Sequence, residues 1–269
     1  FLNLLSDGHV FKMGTNSDYE GDVAYTNQLE ILTEPEVTTT SYTRDGTITY
    51  VRPTPGKQYM VVDQRQVFAL KEDNLEKKLA SSAGTRMWER TMKRGAWQLA
   101  DDVDDFLRDL MYNGTMSANI LTNRTIGLGM NASAYETIVD LVKAVKKQNV
   151  PNSELHVFID PDFEGFLTKD SRFTGHNTAE ARKTIRGQAI GQVEFADVHV
   201  TNNTYRSGST YRIQLAWEGS TTYAEQMNDM RHIPVTAGDF DERVDSQLVF
   251  GGKVTQPQGL AYVDVQYAA

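Results

Sequence analysis

The chain has 269 residues, of which 39% are apolar, and its 27 Lys and Arg against 36 Asp and Glu give a formal charge of -9. This composition supports the core of one large domain or two modest ones and excludes a disordered chain. The absence of cysteine excludes disulfides, thiolate metal sites and a cysteine nucleophile, no apolar run approaches the ~18 residues of a membrane helix, and the acidic balance argues against a sequence-reading nucleic-acid binder.

The first 70 residues predict extended structure. Residues 1–30 show little periodicity, and their scattered Gly, Asn, Asp and Ser indicate an irregular arm. From Glu36 to Leu70, abundant Thr, Val, Ile and Tyr predict strands. Two turns interrupt them. Asp45-Gly46 is typical of a hairpin, and the Pro-Thr-Pro-Gly segment at 53–56 suits a sheet edge or a loop tip, because proline cannot donate to a ladder.

A long helix is predicted next, between Asn74 and Tyr112, with Gly114 just past its end. Its apolar residues recur at steps of three and four, the spacing of one helical face: Trp88, Met92, Ala96, Leu99, Val103, Phe106 and Leu110. Such a helix would hold roughly 39 residues and measure about 58 Å. Two interpretations stay open: a pair of helices broken near Gly84, or one spine that crosses a flat molecule.

Charges on this helix are segregated into two blocks. The basic block is Arg86, Arg90, Lys93 and Arg94, and the acidic block is Asp101, Asp102, Asp104, Asp105 and Asp109. The acidic block is predicted to lie opposite the apolar face, on a solvated or partner-facing surface. Segregated charge of this kind either is simply solvated or pairs with a neighbouring molecule.

The remainder mixes helices and strands without repeated βαβ units, which predicts an α+β fold. Ser133 and Glu136 form a capping box for a helix that ends near Asn149. Strict alternation from Tyr211 to Trp217 predicts a strand with one buried face. The other predicted elements are a buried strand at Leu155–Ile159, a short helix at Asp162–Leu167, strands at Val193–Thr201, Leu248–Thr255 and Ala261–Gln266, and a helix at Thr221–Arg231.

Motifs for cofactors, metals or catalysis are weak. Residues 127–132 resemble a dinucleotide-binding loop, but 119–125 make a poor strand and no acid follows about 20 residues later. Asp160, Asp162 and Glu164 begin like a calcium loop, yet position 12 is Ser171 where a bidentate Glu belongs. No motif supplies a catalytic histidine or serine, and His156 and His199 fall in predicted strands. We therefore expect no enzyme activity, no cofactor and no metal.

Several motifs in a fixed order resemble the major capsid protein of tailed bacteriophages, the Hong Kong 97-type fold that encapsulins share. The resemblance covers roughly residues 36–266. A strand-rich segment leads into the long helix, and later motifs match "L..d.rf", "G.iG.i.GF.V..SNN" and "G.kv..P". The matching segments are Gln98–Asp104, Tyr135–Val142, Asn149–Pro151, Ile159–Pro161, Leu167–Phe173, Arg186–Gly191, Val198–Asn203 and Gly251–Val254 with Pro257. Two departures are Phe195-Ala196 in place of Gly-Phe, and Thr201 in place of Ser.

The resemblance implies an architecture and a role. It implies an N-terminal arm (1–30), an extended loop over a neighbouring subunit (31–72), a spine helix in a peripheral domain (73–112), an axial domain (113–239) and return strands (240–269). It also implies self-assembly into pentamers and hexamers that form an icosahedral head shell around double-stranded DNA in the virion. The partners would be copies of the same chain, a portal, and scaffold or decoration proteins, with no sequence-specific DNA binding and no membrane.

The assembly contacts expected from this reasoning lie on the loop and the spine helix. They are Pro53, Pro55, Gly56, Lys57, Arg90, Arg94, Asp101 and Asp105. Lys57 is also a candidate donor for a crosslink, although an ordinary solvated lysine is the favoured interpretation. The alternatives are an encapsulin-like compartment, a metal-dependent enzyme that uses Asp160, Asp162 and Glu164, and a β-rich phage tail or adhesion protein, which would leave the long helix unexplained.

Overall fold

The long helix, α1, runs from Ser81 to Gly114, 34 residues without a break, or about 51 Å at 1.5 Å per residue. This computed structural model describes residues 10–16, 28–33, 41, 44, 56–73, 81–127, 132–170, 172–173, 189–227, 231–233 and 241–268. The single-helix interpretation is correct from Ser81 onward, because α1 continues through Gly84. Residues 74–80, which contain the predicted start, lie outside the described residues.

Two further helices and thirteen strands occur in the described residues. The helices are α2 (Ala134–Lys146) and α3 (Pro161–Lys169). The strands are β1 (Gln28–Thr33), β2 (Gly56–Val61), β3 (Gln64–Asp73), β4 (Ile120–Ile126), β5 (Leu155–Ile159), β6 (Ala189–Val193), β7 (Ala196–Val200), β8 (Arg206–Ser207), β9 (Thr210–Trp217), β10 (Thr221–Met227), β11 (Arg231–Ile233), β12 (Asp241–Val254) and β13 (Leu260–Tyr267). Short 3₁₀ turns lie at Phe11–Gly14, Ser117–Asn119, Glu218–Ser220 and Pro257–Gly259.

A mixed sheet of seven strands carries the first core. Its order is β4-β13-β9-β5-β7-β6, with β8 added beside β9. The helices α2 and α3 cover one face, and each begins at a side-chain cap: Ser133 accepts from the Glu136 N–H at 3.1 Å, and Asp160 accepts from the Asp162 N–H at 3.1 Å. The apolar face of α2 packs on alternate residues of β5 and β9.

A second core lies between α1, the other face of that sheet, and a four-stranded antiparallel sheet. Within the smaller sheet, β3 follows one edge of β12, whereas β10 and β11 follow the other. The buried face of α1 includes Leu99, Val103, Leu107 and Met111. The sequence pattern identified the first two of these and placed the stripe correctly, but it missed Leu107 and Met111 in favour of the half-buried Phe106 and Leu110.

The third core is small and holds a two-stranded antiparallel ladder, β1–β2, against β10. Leu29, Ile31 and Met60 share one face of the ladder and pack with Ala224 of β10. Residues 34–55 connect the two strands, and apart from Ser41 and Arg44 they lie outside the described residues, as do the predicted turns at Asp45-Gly46 and 53–55.

Three local predictions are wrong. Thr221–Arg231 is not a helix, because antiparallel pairing of Thr221–Met227 with β12 fixes it as a strand. Val193–Thr201 is not one strand but part of a hairpin, since Glu194 and Phe195 both have positive φ, 49° and 71°, and reverse the chain. Residues 120–126 form β4 through parallel pairing with β13. The glycine loop itself, 128–131, lies outside the described residues.

One more prediction holds only in part. Alternation along β9 correctly places Ile213 and Leu215 in the first core. The opposite face of β9 is buried as well, because α1 packs there. Arg212 fits this buried face by a two-point ion pair with Asp264, at 2.7 and 3.1 Å, and its guanidinium lies 3.8 Å from the Tyr112 ring centroid.

Candidate functional site

The outer face of α1 presents a stripe of side chains that the rest of the described chain leaves wholly or partly accessible. Arg90 and Arg94 are exposed, Trp97 is 59% exposed, Asp101 is half-buried and Asp105 is exposed. At 100° per residue these five positions lie within about 80° of one another around the helix. We refer to them as the α1 stripe. Its two ends carry opposite charge and an aromatic side chain stands between them.

The acidic block does not form one surface, and Asp104 was wrongly assigned to the outer face. Asp104 is 0% exposed. Asp101 accepts a 3.0 Å hydrogen bond from the Asn203 side chain. Asp105 and Asp109 remain exposed and both pair with Arg108. These acids therefore occupy three different environments, buried, bonded to Asn203 and paired with Arg108, whereas the sequence predicted one solvated face.

Asp104 ties the N-terminal arm to α1. Its two carboxylate oxygens accept hydrogen bonds of 3.2 Å from the backbone N–H groups of Val10 and Phe11. Burial raises the pKa of this carboxyl to about 7, against the opposing effect of those N–H donors. The Phe11 ring stacks on Phe158, with centroids 4.4 Å apart. Residues 10–16, which we term the arm anchor, therefore belong to the second core.

The far end of the arm anchor joins the smaller sheet. Asn16 donates its N–H to the Thr221 carbonyl at 2.8 Å and accepts from the Tyr223 N–H at 3.0 Å. Gly14 lies so close to β5 and β9 that an added Cβ would stand 2.9 Å from the Ala216 Cβ. Residues 10–16, whose sequence is irregular, thus have a fixed place between two sheets.

The predicted loop contacts fall at the base of the β1–β2 ladder. Gly56 and Lys57 are the first residues of β2, opposite Thr33 and Leu32. Lys57 is therefore not at a loop tip: its ammonium lies 2.7 Å from Glu30, and this carboxylate raises the lysine pKa. Pro53 and Pro55 lie outside the described residues.

Exposed apolar side chains mark further accessible surface, and no pattern in the sequence predicts their exposure. Tyr59 on β2 and Val67 on β3 are 53% and 62% exposed, and Val61 is also exposed. Tyr59 and Val61 share the face of the ladder that carries Lys57, opposite the face that packs in the third core. Together with Trp97 they place apolar surface on both the ladder and α1, and such surface favours contact with another protein.

The candidate metal-binding carboxylates serve helix α3. Asp160 is its N-cap, and it accepts hydrogen bonds from the N–H groups of Asp162 and Phe163 and from the Tyr267 hydroxyl. Asp162 and Glu164 occupy the first turn, where acids favour the helix dipole. Within the described residues, no group of three or more His, Asp or Glu side chains is arranged to hold a metal ion.

The buried His199 of β7 pairs with the half-buried His156 of β5. His156 Nδ1 and His199 Nε2 are 3.0 Å apart, and His199 stacks on Phe158. Burial lowers the pKa of both rings, that of His199 to about 3. His199 Nδ1 has no hydrogen-bond partner in the described part of the chain. At 3.0 Å one ring nitrogen donates and the other accepts, so the two neutral rings satisfy each other at this contact. Both side chains therefore serve packing between β5 and β7.

Comparison with solved structures identifies the fold. A structure from Mycobacterium phage Che8 is 21% identical, with a TM-score of 0.66 over 96% of this chain and 90% of that chain. The capsid of Ralstonia phage GP4 is 12% identical, with a TM-score of 0.73 over 95% and 87%. A virus-like particle from Pyrococcus furiosus is 12% identical, with a TM-score of 0.54 over 97% and 95%.

Comparisons of the sequence with known families and proteins found no match. No protein-family model and no curated protein matches the sequence. In the described ranges, no helix is long and apolar enough to cross a membrane. The phage structures match this chain over 95–96% of its length. The chain therefore has the α+β fold of tailed-phage major capsid proteins, the Hong Kong 97-type fold.

Proposed function

We propose that this protein is a major capsid protein, which assembles into pentamers and hexamers that form an icosahedral head shell around double-stranded DNA. One observation carries the proposal: the chain matches the capsid of Ralstonia phage GP4 over 95% of its length. The match extends across both sheets and the spine helix, so it covers the architecture of a shell subunit and not only a common substructure.

The accessible surfaces of the subunit support assembly. Tyr59, Val67 and Trp97 are each more than half exposed. Aromatic side chains are enriched in protein interfaces, and obligate interfaces are more hydrophobic than the rest of a protein surface. They lie on the β1–β2 ladder, on the smaller sheet and on α1, so one subunit has several surfaces with which to contact its neighbours.

The net charge of the subunit and the roles of its ionisable side chains suit a structural shell protein and not an enzyme. With a formal charge of -9, the subunit would repel the phosphate backbone of enclosed DNA and so hold it without reading its sequence. The buried acids and histidines serve caps, the arm anchor and packing. We infer a non-enzymatic protein of the virion whose partners are copies of itself, a portal, and scaffold or decoration proteins.

A shell around protein cargo is the second candidate. The virus-like particle from Pyrococcus furiosus is matched over 95% of its own chain, a larger share than for the phage Che8 or GP4 structures. The two chains are therefore similar in extent, with 97% of this chain covered by the match. The two functions share the fold and differ in what the shell encloses.

Microscopy of the purified protein tests the proposal. Negative-stain images should show closed icosahedral shells, and sedimentation should show rings of five and six subunits at lower concentration. Monomer at every concentration and salt would contradict it. Shells isolated from the natural source should then contain nuclease-protected DNA. A defined enzyme in those shells in place of DNA would favour the second candidate.

A further inference from the structure

The charges of the two blocks on α1 are related by a mirror register. Each basic position has an acidic position at the same distance on the other side of a point between Trp97 and Gln98. The pairs are Arg86 with Asp109, Arg90 with Asp105, Lys93 with Asp102, and Arg94 with Asp101. Asp104 is the one acid of the block whose mirror position, Thr91, carries no positive charge. It is also the acid that the fold buries.

Such a register is what two antiparallel copies of one helix require. In an antiparallel pair related by a two-fold axis, residues at equal distances from the axis face each other across the contact. Each residue of the basic block of one copy then lies at the same height along the pair as an acid of the other. Parallel copies in the same register would instead bring like charges together, which is unfavourable.

The geometry of α1 places two of these four pairs on its accessible side. Arg94 and Asp101 lie within about 20° of each other around the helix, and Arg90 and Asp105 within about 60°. Both pairs centre on the face opposite Leu99 and Val103, which are buried against the fold. Within the described residues, Arg90 and Arg94 have no ion pair.

The acidic partners keep capacity for a second copy. Asp101 is bonded through one oxygen to Asn203, and a carboxylate has about four acceptor sites. Asp105 pairs with Arg108 but remains 55% exposed. Single exposed pairs contribute only ~0–1 kcal/mol, so charge sets the register of the contact while an apolar group must supply much of its strength.

Trp97 supplies that group. It stands at the centre of the mirror register and is 59% exposed. In the antiparallel arrangement the two Trp97 side chains lie next to the axis on the same face of the helix pair and pack on each other. Tryptophan at the centre of an interface, with charged residues around it, is a common source of binding energy.

We infer that the α1 stripe is a two-fold contact in which the α1 helices of two copies of this chain lie antiparallel, with the Trp97 side chains together and Arg90 and Arg94 facing Asp105 and Asp101 of the other copy. The inference rests on the proposed function, since it names a surface that joins subunits of the shell. Neighbours around a five- or six-fold ring bring different surfaces together, so this contact would join subunits of separate rings.

A single cysteine tests the symmetry, because the chain has none of its own. Gln98→Cys places a thiol beside the axis, and only a two-fold contact brings two copies of that thiol together. After mild oxidation of assembled protein, most chains should run as a disulfide-linked dimer on a non-reducing gel. Lys143→Cys, exposed on α2, is the matched control and should remain monomeric on that gel.

Charge reversal tests the register. Arg90→Glu and Asp105→Lys should each reduce assembly several-fold at low salt, and the double variant R90E/D105K should recover at least half of it, because both faces are reversed together. Thermal unfolding of the dissociated subunits checks that each variant folds. Trp97→Ala should also reduce assembly while the subunit keeps its helical circular dichroism.

The outcomes distinguish a failure of the proposed two-fold contact from a failure of the proposed function. Shells that form while Gln98→Cys yields no dimer would overturn the two-fold contact and leave the proposed function intact. A disulfide between Gln98→Cys and Tyr59→Cys copies mixed before assembly would also overturn it, since the β1–β2 ladder would then cover the helix. A chain that never assembles would overturn both.

Discussion

The Asp104 carboxylate accepts a 3.2 Å hydrogen bond from the backbone N–H of Phe11, a residue 93 positions earlier in the chain. This contact places the arm anchor inside the second core, where Phe11 is fully buried and stacks on Phe158. A buried carboxylate needs donors, and here the backbone of the arm provides them. The arm and the spine helix therefore stabilise each other.

Removing the Phe11 ring should destabilise the subunit strongly. We expect Phe11→Ala to lower the free energy of unfolding by about 3–5 kcal/mol, the usual cost of a buried Phe-to-Ala change. Urea unfolding of dissociated subunits measures it. The control is Lys12→Ala, which removes a partly exposed ion pair with Glu225 and should cost under about 1 kcal/mol. A similar small loss for both variants would contradict the buried position of Phe11.

Asp104 should make the subunit more stable in acid than at neutral pH. Its pKa is raised to about 7 in the fold, so the folded chain binds a proton that the unfolded chain releases near pH 4. The contribution is present below about pH 4 and is lost as the pH rises through 7, with a slope of at most about 1.4 kcal/mol per pH unit. Asp104→Asn cannot ionise. The stability of the wild type relative to this variant should fall from pH 4 to 7 in urea titrations, and parallel profiles would disprove the assignment.

His199 should act in the opposite direction. Its pKa is lowered to about 3, so the unfolded chain binds a proton below about pH 6.5 that the folded chain excludes. Stability from the neutral ring is present above pH 6.5 and is lost as the pH falls. His199→Phe keeps a ring beside Phe158 but cannot titrate. Relative to this variant, the wild type should lose stability between pH 6.5 and 4, and a constant difference would argue against the buried neutral pair.

Two helix glycines should respond oppositely to alanine. A Cβ at Gly95 would overlap the Phe68 ring of β3, whereas a Cβ at Gly165 of α3 meets nothing within 4 Å. Gly95→Ala should therefore destabilise by about 1–3 kcal/mol through overpacking, although alanine favours helix. Gly165→Ala should stabilise by up to about 1 kcal/mol. Thermal unfolding of both variants measures the contrast, and a gain at both positions would contradict the close packing of α1 on β3.

The loop between β1 and β2 should matter for assembly and not for folding. Replacing residues 36–53 by a short Gly-Ser linker keeps the ladder and its Lys57–Glu30 pair. We expect dissociated subunits with unchanged thermal stability that form few shells in negative stain. The control, Lys57→Gln, keeps the loop and should assemble nearly as well as the wild type. Normal shells from the shortened chain would remove this loop from the assembly contacts.

Signals between neighbouring residues determined the elements that such residues stabilise, namely helices with an adjacent cap or a regular apolar spacing. Ser133 and Asp160 lie next to the helices they cap, so the starts of α2 and α3 could be predicted from neighbouring residues. The apolar spacing in α1 indicated a long helix, and its buried stripe followed from the helical period. The charges that form the mirror register are likewise a property of the sequence alone.

Tertiary structure decided the strands and the burial that depend on residues distant in the sequence. Thr221–Met227 became a strand because β12 pairs with it, and residues 120–126 did so because β13 lies alongside. Asp104 is the same residue type as its acidic neighbours in the sequence. It differs from them in the fold because the backbone N–H groups of Val10 and Phe11 bond its carboxylate. The exposure of Trp97 likewise required the packed fold, since an apolar residue in a helix is ordinarily taken as core. Burial is a property of the whole chain, so periodicity can predict which residues share a face but not which partner covers it.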